Sequence, residues 1–69
     1  MAEVRAEMVA NVWKVLVSAG DEVSDGDTLV ILESMKMEIP VLAEGGGKVS
    51  HLMVEEGQVV QEGDVIAVI

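Results

Sequence analysis

Sixty-nine residues make one small domain, spanning 1–69, and a chain this short buries only about 60% of its unfolded surface, so it needs an efficiently closed fold. It has no cysteine to form a disulfide or a thiolate metal site, which fits a reducing compartment. Its net charge of −9, from 13 acids against 4 bases, leaves no basic stripe for phosphates and so excludes nucleic acid and anionic membrane surfaces as partners. No apolar run approaches the ~20 residues of a membrane span. The opening Met1-Ala2-Glu3-Val4-Arg5 does not read as a signal peptide, and the expected setting is the cytoplasm.

The aliphatic residues are mostly valine, Trp13 is the only aromatic, and glycines punctuate short apolar runs, all of which predicts an all-β domain. Residues 3–10 alternate, with Val4, Ala6 and Met8 on one face and Glu3, Arg5 and Glu7 on the other. Residues 12–17 read as a second strand with Trp13, Val15 and Val17 on one side. Turns at Gly20-Asp21-Glu22 and Asp25-Gly26-Asp27 flank Val23, and residues 28–33 form a third apolar run. Residues 37–42 alternate again, with Met37, Ile39 and Val41 opposite Glu38, Pro40 and Leu42. Pro40 has no amide hydrogen, so its nitrogen is expected to face away from a partner strand. Glu44-Gly45-Gly46-Gly47 reads as a flexible stretch, 48–54 as a strand, Gly57 and Gly63 as turns, and 65–69 as the last strand.

The chain repeats itself. Shifted by 37 residues, 4–32 lies over 41–69 without a gap, and nine of the 29 positions are identical, among them Gly20/Gly57, Gly26/Gly63 and Asp27/Asp64. Two copies are too few for an array, so the repeat predicts one closed structure with a pseudo-two-fold axis. Residues 1–3 and 33–40 have no counterpart. The stretch Glu33-Ser34-Met35-Lys36-Met37-Glu38 therefore joins the copies, and the chain ends are expected at the opposite pole.

That joining stretch should be a tight hairpin, yet it lacks turn chemistry. Two-residue hairpin loops favour Asn-Gly or glycine because their backbone takes positive φ. This chain uses glycine or aspartate at its other turns and Met-Lys here. A local rule broken in an otherwise consistent sequence marks a functional candidate. If Lys36 is at the tip, Met35 and Met37 cannot both be in the core, and exposed methionines beside a charge suit a contact surface. The bland alternative is a methionine capping the core beside a solvated turn lysine.

These residues, Glu33-Ser34-Met35-Lys36-Met37-Glu38, closely resemble the Met-Lys-Met attachment motif of the biotinyl/lipoyl-attachment family. The turns Gly20-Asp21-Glu22-Val23-Ser24-Asp25-Gly26-Asp27 and Gly57-Gln58-Val59-Val60-Gln61-Glu62-Gly63-Asp64 resemble that family's Gly-to-Gly-Asp spacing in each half, and the resemblance covers essentially the whole chain. It is closest to the small stand-alone biotin/lipoyl attachment proteins of bacteria. The resemblance implies a flattened β-barrel, or sandwich of two four-stranded sheets, with no thumb insertion because the halves match without a gap. It implies covalent biotin on Lys36, with Met35 and Met37 read by a biotin protein ligase and Glu33, Ser34 and Glu38 as hairpin context. It also implies a biotin carboxyl carrier that moves carboxylate between the biotin carboxylase and carboxyltransferase sites of a carboxylase. Lipoate on Lys36 is the alternative cofactor, although lipoyl domains usually present Asp-Lys-Ala. An unmodified β-barrel interaction module is the third reading.

Acylation of a lysine needs the neutral amine, a minor species for an ordinary lysine at neutral pH, together with an activated acyl group. Nothing in the chain supplies either, so it reads as a substrate and carrier, not an enzyme. Lys14 and Lys48 lack the methionine flanks of Lys36 and read as solvated. His51 is the only histidine and, without cysteine, suggests an exposed strand position and no metal site. Trp13 reads as a core or rim anchor.

Overall fold

The computed structural model describes residues 2–69; Met1, which the repeat leaves unmatched, lies outside the described residues. Nine strands follow in order: β1 (Glu3–Arg5), β2 (Ala10–Val15), β3 (Glu22–Val23), β4 (Thr28–Ser34), β5 (Met37–Leu42), β6 (Gly47–Lys48), β7 (His51–Leu52), β8 (Val59–Val60) and β9 (Val65–Val68). All pairings are antiparallel, and among the described residues there is no helix. The all-β barrel-sandwich expected from the sequence is therefore the fold.

The ladders are β5-β4-β2-β8, β1-β9-β7 and β3-β6. The 37-residue shift relates them rung by rung. Ile31↔Pro40 and Val30↔Val41 in β4/β5 become Val68↔Glu3 and Ala67↔Val4 in β9/β1. Lys14↔Ile31 in β2/β4 becomes His51↔Val68 in β7/β9, and Ala10↔Val60 in β2/β8 becomes Gly47↔Val23 in β6/β3. β6 and β7 together thus occupy the place of β2. The two expected four-stranded sheets are present, one continuous and one with its third strand broken. The break falls where β2 carries a bulge, between Val12 and Lys14, so the same irregularity is absorbed in one half and interrupts the strand in the other.

Each half closes with the same turn. Gly26 and Gly63 take φ of +88° and +91°, which glycine adopts without steric cost. Asp27 accepts a bond from the Ser24 amide at 2.8 Å, and Asp64 one from the Gln61 amide at 2.8 Å, so each Gly-Asp pair fixes its own loop. The core lies between the sheets. Leu29, Val30 and Leu32 enter it from β4, Ile66 and Ala67 from β9, and Val12, Val23, Val49, Val54 and Val60 join them with Ala6, Ala10 and Ala43. Each buried valine, leucine or isoleucine contributes roughly 1.5–3 kcal/mol.

Some boundaries differ from the sequence reading. Residues 3–10 are not one strand: β1 ends at Arg5, and Met8 is exposed instead of sharing a core face with Ala6. Ala6 leaves the ladder to bond the opposite half's turn, its amide donating to Asp64 O and its carbonyl accepting from Gly63, both at 2.8 Å. Ala43 does the same with Asp27 and Gly26 at 2.8 and 2.9 Å. The repeated alanines are buried crossing points between the halves. The second strand runs Ala10–Val15, two residues earlier than expected, and 48–54 is divided.

The glycine run is not a loose tether. Gly45 donates to Asp25 Oδ1 at 2.7 Å, and a Cβ on Gly46 would stand 3.2 Å from Val23 O. A Cβ on Gly47 would stand 2.8 Å from Ile69 Cγ2, closer than real contacts allow. These glycines let the crossing strand approach its neighbours.

Candidate functional site

β4 and β5 are joined by two residues, Met35 and Lys36, with Ser34↔Met37 as the closing pair. Met35 has φ +51° and Lys36 φ +65°; the other five positive-φ positions among the described residues are all glycine. Positive φ at both loop positions is the type I′ pattern, which matches strand twist but normally selects Asn-Gly. Each non-glycine residue held there costs on the order of 1 kcal/mol. The rule break seen in the sequence is thus a real backbone cost at the residue of interest.

β4 and β5 supply the rigidity that holds the strained turn. Counting alternate rungs from the Ser34↔Met37 closure, Ile31↔Pro40 is a pair that exchanges no hydrogen bonds, so the Pro40 nitrogen faces the open edge as expected. In the other half, Ala2 and Ile69 exchange amide–carbonyl bonds of 2.7 and 2.8 Å, and under the 37-residue shift they stand where Ile39 and Leu32 stand. Residues 39 and 40, unmatched in the sequence comparison, therefore have structural mates. The unmatched stretch shrinks to 33–38: two rungs of about 3.4 Å each and the loop, projecting beyond the end of the barrel.

At the tip, Met35 is 92% exposed and Met37 63% exposed. Neither methionine caps the core. Lys36 is exposed and forms no ion pair; the salt bridge found among the described residues joins Arg5 and Glu3. Glu33 and Glu38 face each other across β4 and β5, while Ser34 is half-buried at the hairpin base. The structure thus brings all six predicted residues together on one hairpin. A groove of about 720 Å³ between the edge strands β1 and β5 has no residue of 33–38 in its wall.

The remaining residues singled out in the sequence lie elsewhere. Lys14 and Lys48 are exposed on strands. His51 is exposed on β7 with Nδ1 3.3 Å from Ser50 Oγ, and among the described residues no three His, Asp or Glu side chains converge as a ligand set. Trp13 is not in the core. It is 42% exposed on the outer side of β2, with Lys14 Nζ 5.5 Å from its ring centroid. The signal missed was the repeat itself: its partner is Ser50, a residue no core position would take.

The family model described as "Biotin-requiring enzyme" matches residues 2–69. The chain is 63% identical over 70 residues to the "Biotinylated protein TB7.3 homolog" of Mycobacterium leprae, covering 100% of this chain and 99% of that protein. It is 49% identical over 63 residues to the "Biotin/lipoyl attachment protein" of Bacillus subtilis, covering 91% and 86%. Among solved structures, a single-chain, multi-domain long-chain acyl-CoA carboxylase superposes with a TM-score of 0.90 at 32% identity, covering 96% of this chain and 7% of that one. With the fold, the paired Gly-Asp turns and the projecting Met-Lys-Met hairpin already in place, these matches show that the chain belongs to the biotin/lipoyl-attachment family.

Proposed function

We propose that this chain is a biotin carrier, modified on Lys36. The observation that carries the reading is the two-residue loop: an exposed, unpaired lysine held in the left-handed region on a rigid hairpin, between exposed methionines, where a relaxed turn would use Asn-Gly. Membership in the family, and a relative of matching length named as a homolog of a biotinylated protein, support the choice of cofactor.

In the modification step an N–C bond forms at Lys36 Nζ and the acyl–phosphate bond of biotinyl-AMP breaks. AMP leaves with the electron pair, and the amine protons pass to the ligase or solvent. The chain's own contribution is positional. β4 and β5 fix the root of the lysine, the turn aims it outward, and Met35 and Met37 offer the ligase an apolar grip on either side. Bound biotin supplies the capacity to accept and release a carboxyl group, and we assign the carrier to a biotin carboxylase and a carboxyltransferase as the two sites it serves. A tethered arm on a fixed root keeps its end at high local concentration for both. The chain itself acts as substrate and carrier without catalysing either reaction.

Intact-mass measurement after incubation with ATP, biotin and a biotin protein ligase tests the reading. One biotinyl group is expected, absent in Lys36→Arg. Modification of the Lys36→Arg chain, or gain of a lipoyl group with lipoate ligase and none with biotin, overturns it.

A further inference from the structure

The pseudo-two-fold axis provides a comparison within the molecule, because outside 33–38 each outer-face position of one sheet has a mate at the corresponding place in the other. On the hairpin-bearing sheet, Lys14↔Ile31 and Ile31↔Pro40 form one row across β2, β4 and β5, and Trp13 joins it at the bulge, with Lys14 over its ring. The 37-residue shift turns Trp13 into Ser50, Pro40 into Glu3 and Val59 into Glu22. Trp13 and Val59 are large exposed apolar residues, 42% and 57% open to solvent, whereas the mate positions are polar. The other half closes with polar side chains at these places, Ser50 at the break between β6 and β7 and Glu22 on β3, so closure of the barrel does not rest on apolar side chains there. What separates the two faces is that one runs directly into the Lys36 hairpin.

The next row toward the hairpin is acidic. Glu33 and Glu38 are directly opposite in the β4/β5 ladder, a placement that costs stability for like charges and that a cation from outside would relieve. Exposed tryptophan in the centre of a patch is the residue type that most often anchors a protein interface. With a net charge of −9 a second copy of this chain is a poor occupant, because its own face is acidic too.

From this we infer that the outer face of β5-β4-β2-β8, centred on Trp13, is the docking surface for the ligase that acylates Lys36: a protein surface with an apolar recess for the indole and basic side chains opposite Glu33 and Glu38. The ligase is the occupant favoured because it reacts at Nζ itself, at the root of the arm, and must come against the hairpin and the sheet behind it. An enzyme that reacts at the far end of the arm stands farther off. The inference rests on Lys36 as the acylated residue.

Replacing face residues by their own mates tests it. In Trp13→Ser with Val59→Glu, the KM for the carrier in ligase-catalysed biotinylation is expected to rise about tenfold or more with kcat within about twofold. Met53→Ser, at an exposed position just after β7 of the mate sheet, should leave both constants unchanged. An unchanged KM in the double variant overturns the docking face while Lys36 acylation stands, and failure of the parent chain to be acylated overturns both. The unaltered protein gives an independent reading, since its one tryptophan yields one indole N–H resonance. Adding unlabelled ligase to the isotope-labelled carrier should shift or broaden that signal and leave the His51 amide in place. A still indole signal under conditions that perturb the Lys36 amide overturns the proposal.

Discussion

The two halves of this domain share a backbone and divide the labour. β5-β4-β2-β8 and its mate, β1-β9 with the broken β6/β7 strand and β3, match in register, in bulge position and in turn bonds. They differ in three respects. Only the first extends into a hairpin beyond the barrel, only the first has an unbroken third strand, and only the first has an aromatic on its outer face. What the halves share is what closure of a small barrel demands: alternating valines, left-handed glycines before aspartate, and alanine at the crossings. The hairpin and the outer-face aromatic are free of that demand, and both belong to the half-barrel that bears Lys36. A duplicated fold thus separates structural from functional residues without reference to any other protein.

The largest test of the shared part is the core. Leu29 and Ile66 are mates, and each is 0% exposed. Leu29→Ala and Ile66→Ala should each lose about 2–5 kcal/mol in urea unfolding, and by similar amounts. A mild effect of one beside a large effect of the other would break the equivalence of the halves.

The next test sets a shared turn against the unshared one, and the signs should be opposite. Gly26→Ala forces a Cβ onto a residue at φ +88° and should cost about 1–2 kcal/mol. Met35→Asn puts a residue that tolerates the left-handed region at φ +51° and should raise stability by up to about 1 kcal/mol, or several degrees in Tm for a domain of this size. The same variant should be biotinylated more slowly, because it removes one side of the methionine pair. A hairpin that gains stability and keeps its full acylation rate would remove the role given to Met35. The smallest effect belongs to Glu38→Gln, which relieves the like-charge pair with Glu33 and should stabilise by a few tenths of a kcal/mol in low salt, less in high salt. No gain at low salt would mean that the two carboxylates splay apart into water.

Much of this was legible in the residues. The repeat predicted the symmetry, the meeting of the chain ends and the hairpin at the junction, because glycine and aspartate hold turn positions that few other residues can. The strands at 28–33 and 37–42 were read to within a residue, the first from an apolar run whose Leu29, Val30 and Leu32 are buried and the second from its alternation. What failed did so where tertiary contacts override local pattern. Residues 3–10 alternate well, yet Ala6 gives its backbone bonds to the Gly63-Asp64 turn, more than fifty positions away. The bulge after Val12 adds a residue that simple alternation does not anticipate, and so put Trp13 on the wrong side. Gly45-Gly46-Gly47 looked loose because nothing local shows that Val23 and Ile69 press against it. The hairpin was legible for the opposite reason: its residues contradict the conformation they adopt.

The bonds between Ala2 and Ile69 have a consequence for how such a unit is wired into larger assemblies. Both directions of the chain leave through one doorway, at the pole opposite Lys36. Spliced into any longer polypeptide, the barrel would hang from a single point like a lamp on its flex, with the lit end outward and nothing of the host in its path. In such a setting the span the arm can sweep is set by the host's linkers, while the orientation of the lysine remains the property of the barrel.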